Sequence, residues 1–103
     1  MVDTNTLNWQ EFGENVLVKN LARDNKRNFQ FDLMKLKANA RFEEHIHEDI
    51  EWVYILKGSF SDYRGTYTKG HFIINEKGSR HKVTTGTEGC IILVCWCGKV
   101  TPI

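Results

Sequence analysis

Residues 45–51 read HIHEDIE, and the reading of this stretch decides the rest. Successive side chains of a strand alternate between its two faces, so His45 and His47 point the same way if the segment is extended. Glu51 follows four residues after His47. A histidine pair at i and i+2 is rigidly presented, and neutral imidazole is a common ligand of transition metals. A turn at Glu48-Asp49-Ile50 that re-enters the sheet would let Glu51 add an anionic oxygen. His81, in GSRHKVTT just after Gly78, can reach the same point from a neighbouring strand. Three imidazoles and one carboxylate leave a divalent cation with open positions for water or substrate. Taken alone, an HxH pair is as readily a partly exposed feature of a strand, so the wider spacing has to decide.

Outward from this stretch the chain reads as β. NFQFDLMKLK opens with strict alternation that sets Phe29, Phe31 and Leu33 on one face. EWVYILKG and CIILVCW are apolar runs rich in β-branched and aromatic residues and bounded by glycines. Between them, short strands alternate with turn signals at Arg64-Gly65 and Lys69-Gly70. This recurrence suits a sandwich or barrel better than βαβ units. No segment holds a 3.6-residue period; WQEF can begin a helical turn, which Gly13 and the following VLV oppose. At 103 residues and 41% hydrophobic, the chain makes one domain with a real core.

Net charge is +1, and the two halves, split after residue 50, carry −2 and +3. So weak an asymmetry argues against nucleic acid or a membrane surface as partner. The longest apolar run, IILVCWC, is too short to span a bilayer, and MVDTNTLNWQEF lacks the apolar stretch of a secretory signal. Cys90, Cys95 and Cys97 form an odd set inside an apolar segment, unlike a disulfide framework, and a reducing cytoplasm is the expected setting.

HIHEDIEWVYILKG fits H-x-H-x3-E-x6-G, and GHFIINEKGSRH fits G-x7-G-x2-H, with 11 residues between Gly58 and Gly70. In this the chain resembles the cupin superfamily, whose two metal motifs stand in this order. The resemblance runs from about residue 38 to residue 97. It implies a small β-barrel or jelly roll (a double-stranded β-helix) over residues 1–103, with N-terminal strands in 14–37. It also implies that His45, His47, Glu51 and His81 are the metal ligands, and that Gly58, Gly70 and Gly78 form turns. Asn39 stands where the first motif usually opens with glycine, Glu76 replaces the proline of the second, and Thr85 replaces its closing asparagine. Asn39 can still adopt a left-handed turn.

GSRHKVTTGTEGCIILVCW is further similar to the cupin domain of ChrR-type zinc anti-sigma factors. In those proteins a separate helical domain with its own zinc site grips the sigma factor. With no histidine before residue 45 and no cysteine before residue 90, sigma-factor binding is not expected of this chain. The resemblance then implies a metal-binding module that also takes a small-molecule ligand, as sensor or accessory domain. Zinc is the foremost ion, with iron, manganese, nickel or copper compatible. The competing class is a metal-dependent dioxygenase or related enzyme acting on a small organic substrate such as a β-diketone.

Other residues have plainer readings. His71 follows a turn glycine and is expected at the surface or a strand edge. Cys95 and Cys97 are expected as small core residues rather than soft ligands. Glu43 is expected as a solvated carboxylate at the barrel rim, with a supporting role near the ligands as the alternative. Trp52 and Tyr54 fall on the parity opposite Glu51, Val53 and Ile55, so they face outward, where a homodimer interface would cover them.

Overall fold

The sheet framework follows from where glycine and asparagine break the apolar runs. The computed structural model describes residues 1–97 and the backbone of residues 100–102. Ten strands are described among these residues: β1 Gln10–Glu11, β2 Val16–Asp24, β3 Phe29–Leu36, β4 His45–His47, β5 Glu51–Asp62, β6 Gly65–Thr68, β7 Phe72–Asn75, β8 Arg80–His81, β9 Thr84–Cys97 and β10 Val100–Pro102. The one helical element described is a 3₁₀ turn at Thr4–Thr6, ahead of the WQEF segment, whose Gln10 and Glu11 are strand instead. No helix among the described residues is long and apolar enough to cross a membrane.

The larger sheet runs β1-β2-β3-β9-β5-β6, with β7 also paired to β5; the smaller runs β10-β4-β8, and its pairings are antiparallel. This is the small β-barrel that the motifs predict. Val53, Ile55, Ile92, Val94, Ile73 and Phe60 project from the larger sheet into the shared core, together with Val83 beyond β8. Burying an aliphatic side chain such as Ile55, which is fully inaccessible, stabilises by about 1.5–3 kcal/mol.

Two close approaches fix the long strands. Gly58 has φ +77°, and a Cβ there would run into the carbonyl oxygen of Gly89 across the β5–β9 pair. Gly89 itself has φ +71° and lies against the carbonyl of Leu36. Asn39 takes φ +52°, so the asparagine that replaces the usual glycine does adopt the left-handed turn. Thr85 ties this turn down: its hydroxyl donates to the Lys37 carbonyl at 2.6 Å and accepts from the Ala40 amide at 2.9 Å.

The alternation in β3 is real, but the interior takes the opposite face. Asp32 and Leu36 are buried and pair with Val94 and Cys90, whereas Phe31 lies on the outside, 37% exposed. Local periodicity marks two faces without saying which one meets the core. Cys95 and Cys97, expected in the core, share that outer face with Phe31 and Phe29 and are half-buried; Cys90 is the cysteine of the core. Burial pushes the Cys90 thiol up to about 11, which leaves it unreactive.

Candidate metal centre

Strand pairing brings the histidines together. His45 on β4 is the direct cross-strand partner of His81 on β8, and direct partners share a face. His47, two residues along β4, joins them from the same face. The ring centroids stand 4.4 Å apart for His45–His81, 4.8 Å for His47–His81 and 5.0 Å for His45–His47. One nitrogen from each ring lies within 4.8 Å of the others.

The other nitrogen of each ring is turned outward to an oxygen. His47 Nδ1 lies 3.2 Å from the Ser79 carbonyl and 3.3 Å from its hydroxyl. His81 Nδ1 lies 3.0 Å from Asp62 Oδ2. His45 Nδ1 is 3.4 Å from the carbonyl of Glu43, so Glu43 supports the site through its backbone while its side chain is exposed. An Nδ1–H that donates to these oxygens leaves Nε2 as a lone pair, which is how ligand histidines are oriented in metal sites.

Two features test whether a metal fits. His47 Nε2 is buried and has no hydrogen-bond partner among the described residues. A buried polar atom left unpaired costs about 1–3 kcal/mol, so one in a native site calls for a partner of another kind. His45 Nε2 and His81 Nε2 approach to 2.8 Å. With both Nδ1 atoms donating outward, two lone pairs would face each other, an approach that a proton or a metal cation between them makes favourable. The donor set therefore fits a divalent ion.

Glu51 stands at the edge of this group. Its Oε1 is 3.5 Å from His47 Nε2, longer than a good hydrogen bond, and accepts from Asn75 Nδ2 at 2.9 Å. It does not fall within the compact three-histidine cluster. His71 lies apart, exposed, with its Nδ1 accepting from the Thr68 amide at 3.0 Å.

The electrostatics favour ligand-ready forms. Burial pushes the His45 imidazole below its usual range, and the neighbouring His47 ring pushes the same way. Burial also lowers His81; the Asp62 hydrogen bond opposes this without reversing it. Burial alone would raise Glu51, but the nearby His47 ring and the hydrogen bond from Asn75 outweigh it and hold the carboxyl below the ordinary range. Burial works the same way on Asp62, and there the hydrogen bonds from Arg64 and His81 win, bringing it down to about 2.

Asp62, Arg64, Asn75 and Ser79 escaped the sequence reading as site residues. Ser79 sits inside the quoted GSRH motif and carried a signal there. Asn75 closes β7 on the same parity as the buried Ile73, a weaker signal. Asp62 and Arg64 belong to the β5–β6 hairpin, and no spacing rule ties that hairpin to the histidines.

A cleft of about 230 Å³ runs beside β1, β2, β3 and β9, with Phe12, Val18, Asn20, Arg23, Met34 and Trp96 in its wall. None of the histidines lines it; Trp96, which does, is the cross-strand neighbour of Glu51.

Comparison with solved structures agrees with this architecture. An RmlC-like cupin from Ralstonia eutropha superposes with a TM-score of 0.88 at 21% identity, over 97% of this chain and 69% of that one. An acetylacetone dioxygenase from Acinetobacter johnsonii gives 0.84 at 17% identity, over 100% and 75%. The complex of SigE with the anti-sigma factor ChrR from Rhodobacter sphaeroides gives 0.78 at 19% identity, over 91% of this chain and 50% of that one. At these identities the likeness is one of fold. No curated protein matches the sequence. The family model for the ChrR cupin-like domain, however, matches residues 1–98, and the chain belongs to that family.

Proposed function

We propose that this protein is a small cupin that binds one divalent metal ion through His45, His47 and His81, with Glu51 as the fourth ligand, and presents it to a small-molecule ligand as a sensor or accessory module. The observation that carries this reading is the buried, unpartnered Nε2 of His47 beside two other ring nitrogens. Zinc is the ion of first choice because three imidazoles and a carboxylate suit its preference for nitrogen and oxygen donors; iron, manganese, nickel and copper accept the same set. A bound ion would polarise a coordinated oxygen of water or ligand. The test is metal analysis of protein purified without a histidine tag, alongside His47→Ala. The reading expects about one equivalent in the wild type and a marked loss in the variant; equal metal in both would refute it.

A second reading is a metal-dependent dioxygenase acting on a small organic molecule such as a β-diketone. It is favoured by the compactness of the three-nitrogen group, with Glu51 at its edge, which leaves positions on an ion open to substrate and oxygen. Oxygen uptake by iron-loaded protein with acetylacetone would support this reading, and its absence across a panel of diketones, flavonols and thiols would leave the first.

The outer face bears on assembly. Tyr54, Phe72 and Ile74 lie side by side there, with Tyr54 paired to Phe72 and Trp52 to Ile74. Phe72 is 58% exposed. Such a patch is covered well by a second copy, and a homodimer in a reducing cytoplasm fits it and the three free thiols. Light scattering after size exclusion would refute the dimer by returning a monomer mass.

A further inference from the structure

Behind the histidines a chain of side chains closes into an arc. His81 Nδ1 lies 3.0 Å from Asp62 Oδ2. The same oxygen accepts from Arg64 Nη2 at 2.8 Å and Nε at 3.3 Å. Arg64 Nη2 also donates to Asn75 Oδ1 at 2.6 Å, and Asn75 Nδ2 donates to Glu51 Oε1 at 2.9 Å. One guanidinium thus stands between two of the proposed ligands, His81 on one arm and Glu51 on the other. Asn75 and Asp62 are both shut off from solvent, with Asn75 only 1% exposed and the Asp62 side chain at 0%.

The polarity of this arc follows from arginine chemistry. A guanidinium carries donors only and cannot accept. Both atoms facing it must therefore be acceptors, which fixes the carbonyl end of the Asn75 amide toward Arg64. The amino end of that amide is left to face Glu51, so Glu51 Oε1 must accept. On the other arm, an Asp62 carboxylate that accepts from Arg64 also accepts from His81, which places the ring proton on Nδ1 and the lone pair on Nε2. Arg64 and the Glu51 carboxylate select the same orientation of the buried Asn75 amide, and without Arg64 its Oδ1 loses the donor that holds it from the other side. Flipped, it would set Oδ1 against the Glu51 carboxylate.

We propose that Arg64 is a positioning residue that sets the hydrogen-bond polarity of the metal centre on both arms at once. It rests on the metal-binding reading for its purpose, but the proton placement it predicts is measurable in metal-free protein. The planar fork matters: Nε and Nη2 grip Asp62 while Nη2 and Nη1 reach Asn75 and the Ile74 carbonyl, the latter at 3.3 Å. A lysine ammonium is a point charge that cannot hold this geometry.

The experiment compares wild type, R64M and R64K, each freed of metal at pH 8, by long-range proton–nitrogen correlation of the imidazoles, followed by cobalt(II) titration. The wild type is expected to show His81 with its proton on Nδ1. R64M is expected to show mixed tautomers for His81, cobalt affinity lower by about 10–100-fold, the range for lost outer partners, and an altered visible spectrum of the bound ion. R64K, which keeps the charge and guards against loss of folding, is expected to fall between them. A His81 Nδ1–H tautomer and cobalt spectrum unchanged in R64K and in any folded R64M would overturn the proposal. Failure of the wild type to bind cobalt, with the tautomers shifting as described, would overturn the metal reading and leave the positioning role standing.

Discussion

Two buried polar groups on the inner surface of the barrel solve the same problem in opposite ways. Asp32, 1% exposed, is surrounded by donors: Asn20 Nδ2 at 2.8 Å, Gln30 Nε2 at 2.7 Å and Trp96 Nε1 at 2.8 Å. His47, equally buried, has one nitrogen anchored to Ser79 and the other without a hydrogen bond among the described residues. A buried carboxylate with three donors is a finished structural network, and its worth lies in locking β2, β3 and β9 together. A buried imidazole with a free lone pair, set among two others, is unfinished until something binds. The contrast separates polar burial that serves the fold from polar burial that awaits a ligand.

The largest effect expected from this contrast is on metal affinity. His47→Ala removes a ligand rather than a support, so its cost should exceed the roughly 10–100-fold typical of outer partners. Equilibrium dialysis against zinc measures it; any change in the urea stability of the metal-free variant comes from the emptied ring volume and the lost Ser79 contact of Nδ1, not from Nε2, which makes no hydrogen bond among the described residues. Asp32→Leu should do the reverse. It strands three donors and should cost about 3 kcal/mol in urea unfolding, while zinc affinity in the folded protein stays within about threefold. A comparable loss of affinity in both variants would erase the distinction.

Smaller effects sharpen it. Zinc at about a hundred times its dissociation constant should stabilise the wild type by about 2.7 kcal/mol, with no such gain in His47→Ala. The difference is read by thermal unfolding with zinc or with chelator. Acid should release the ion, since the neutral ring is the ligand and a proton competes for the same lone pair. Because burial lowers His45 and His81, zinc should remain bound through the ordinary imidazole range near 6.5 and be lost as pH falls below it. Release beginning above pH 7 would contradict that sign.

How much of this could be read in advance divides along the same line. The histidines were legible because i, i+2 spacing on a strand is a local rule and because two motifs in order implied a meeting of β4 with β8. Asn39 was legible too, since few residues other than glycine accept a left-handed turn. The arc through Asp62, Arg64 and Asn75 was not, because it depends on the β5–β6 hairpin folding back against β7. The interior face of β3 was hidden for a different reason. Alternation sets Phe29, Phe31 and Leu33 on one face without telling which face is the inner one, and only the register with β9 shows that Asp32 and Leu36 face inward. Cys95 and Cys97 follow Phe31 and Phe29 to the outside by that same register.

X-ray absorption at the zinc edge of wild-type protein loaded with one equivalent tests the central claim most directly. The account predicts a first shell of nitrogen and oxygen donors with the outer scattering of three imidazoles, reduced to two in His81→Ala. A shell that lacks imidazole scattering, or one left unchanged by His81→Ala, would contradict it.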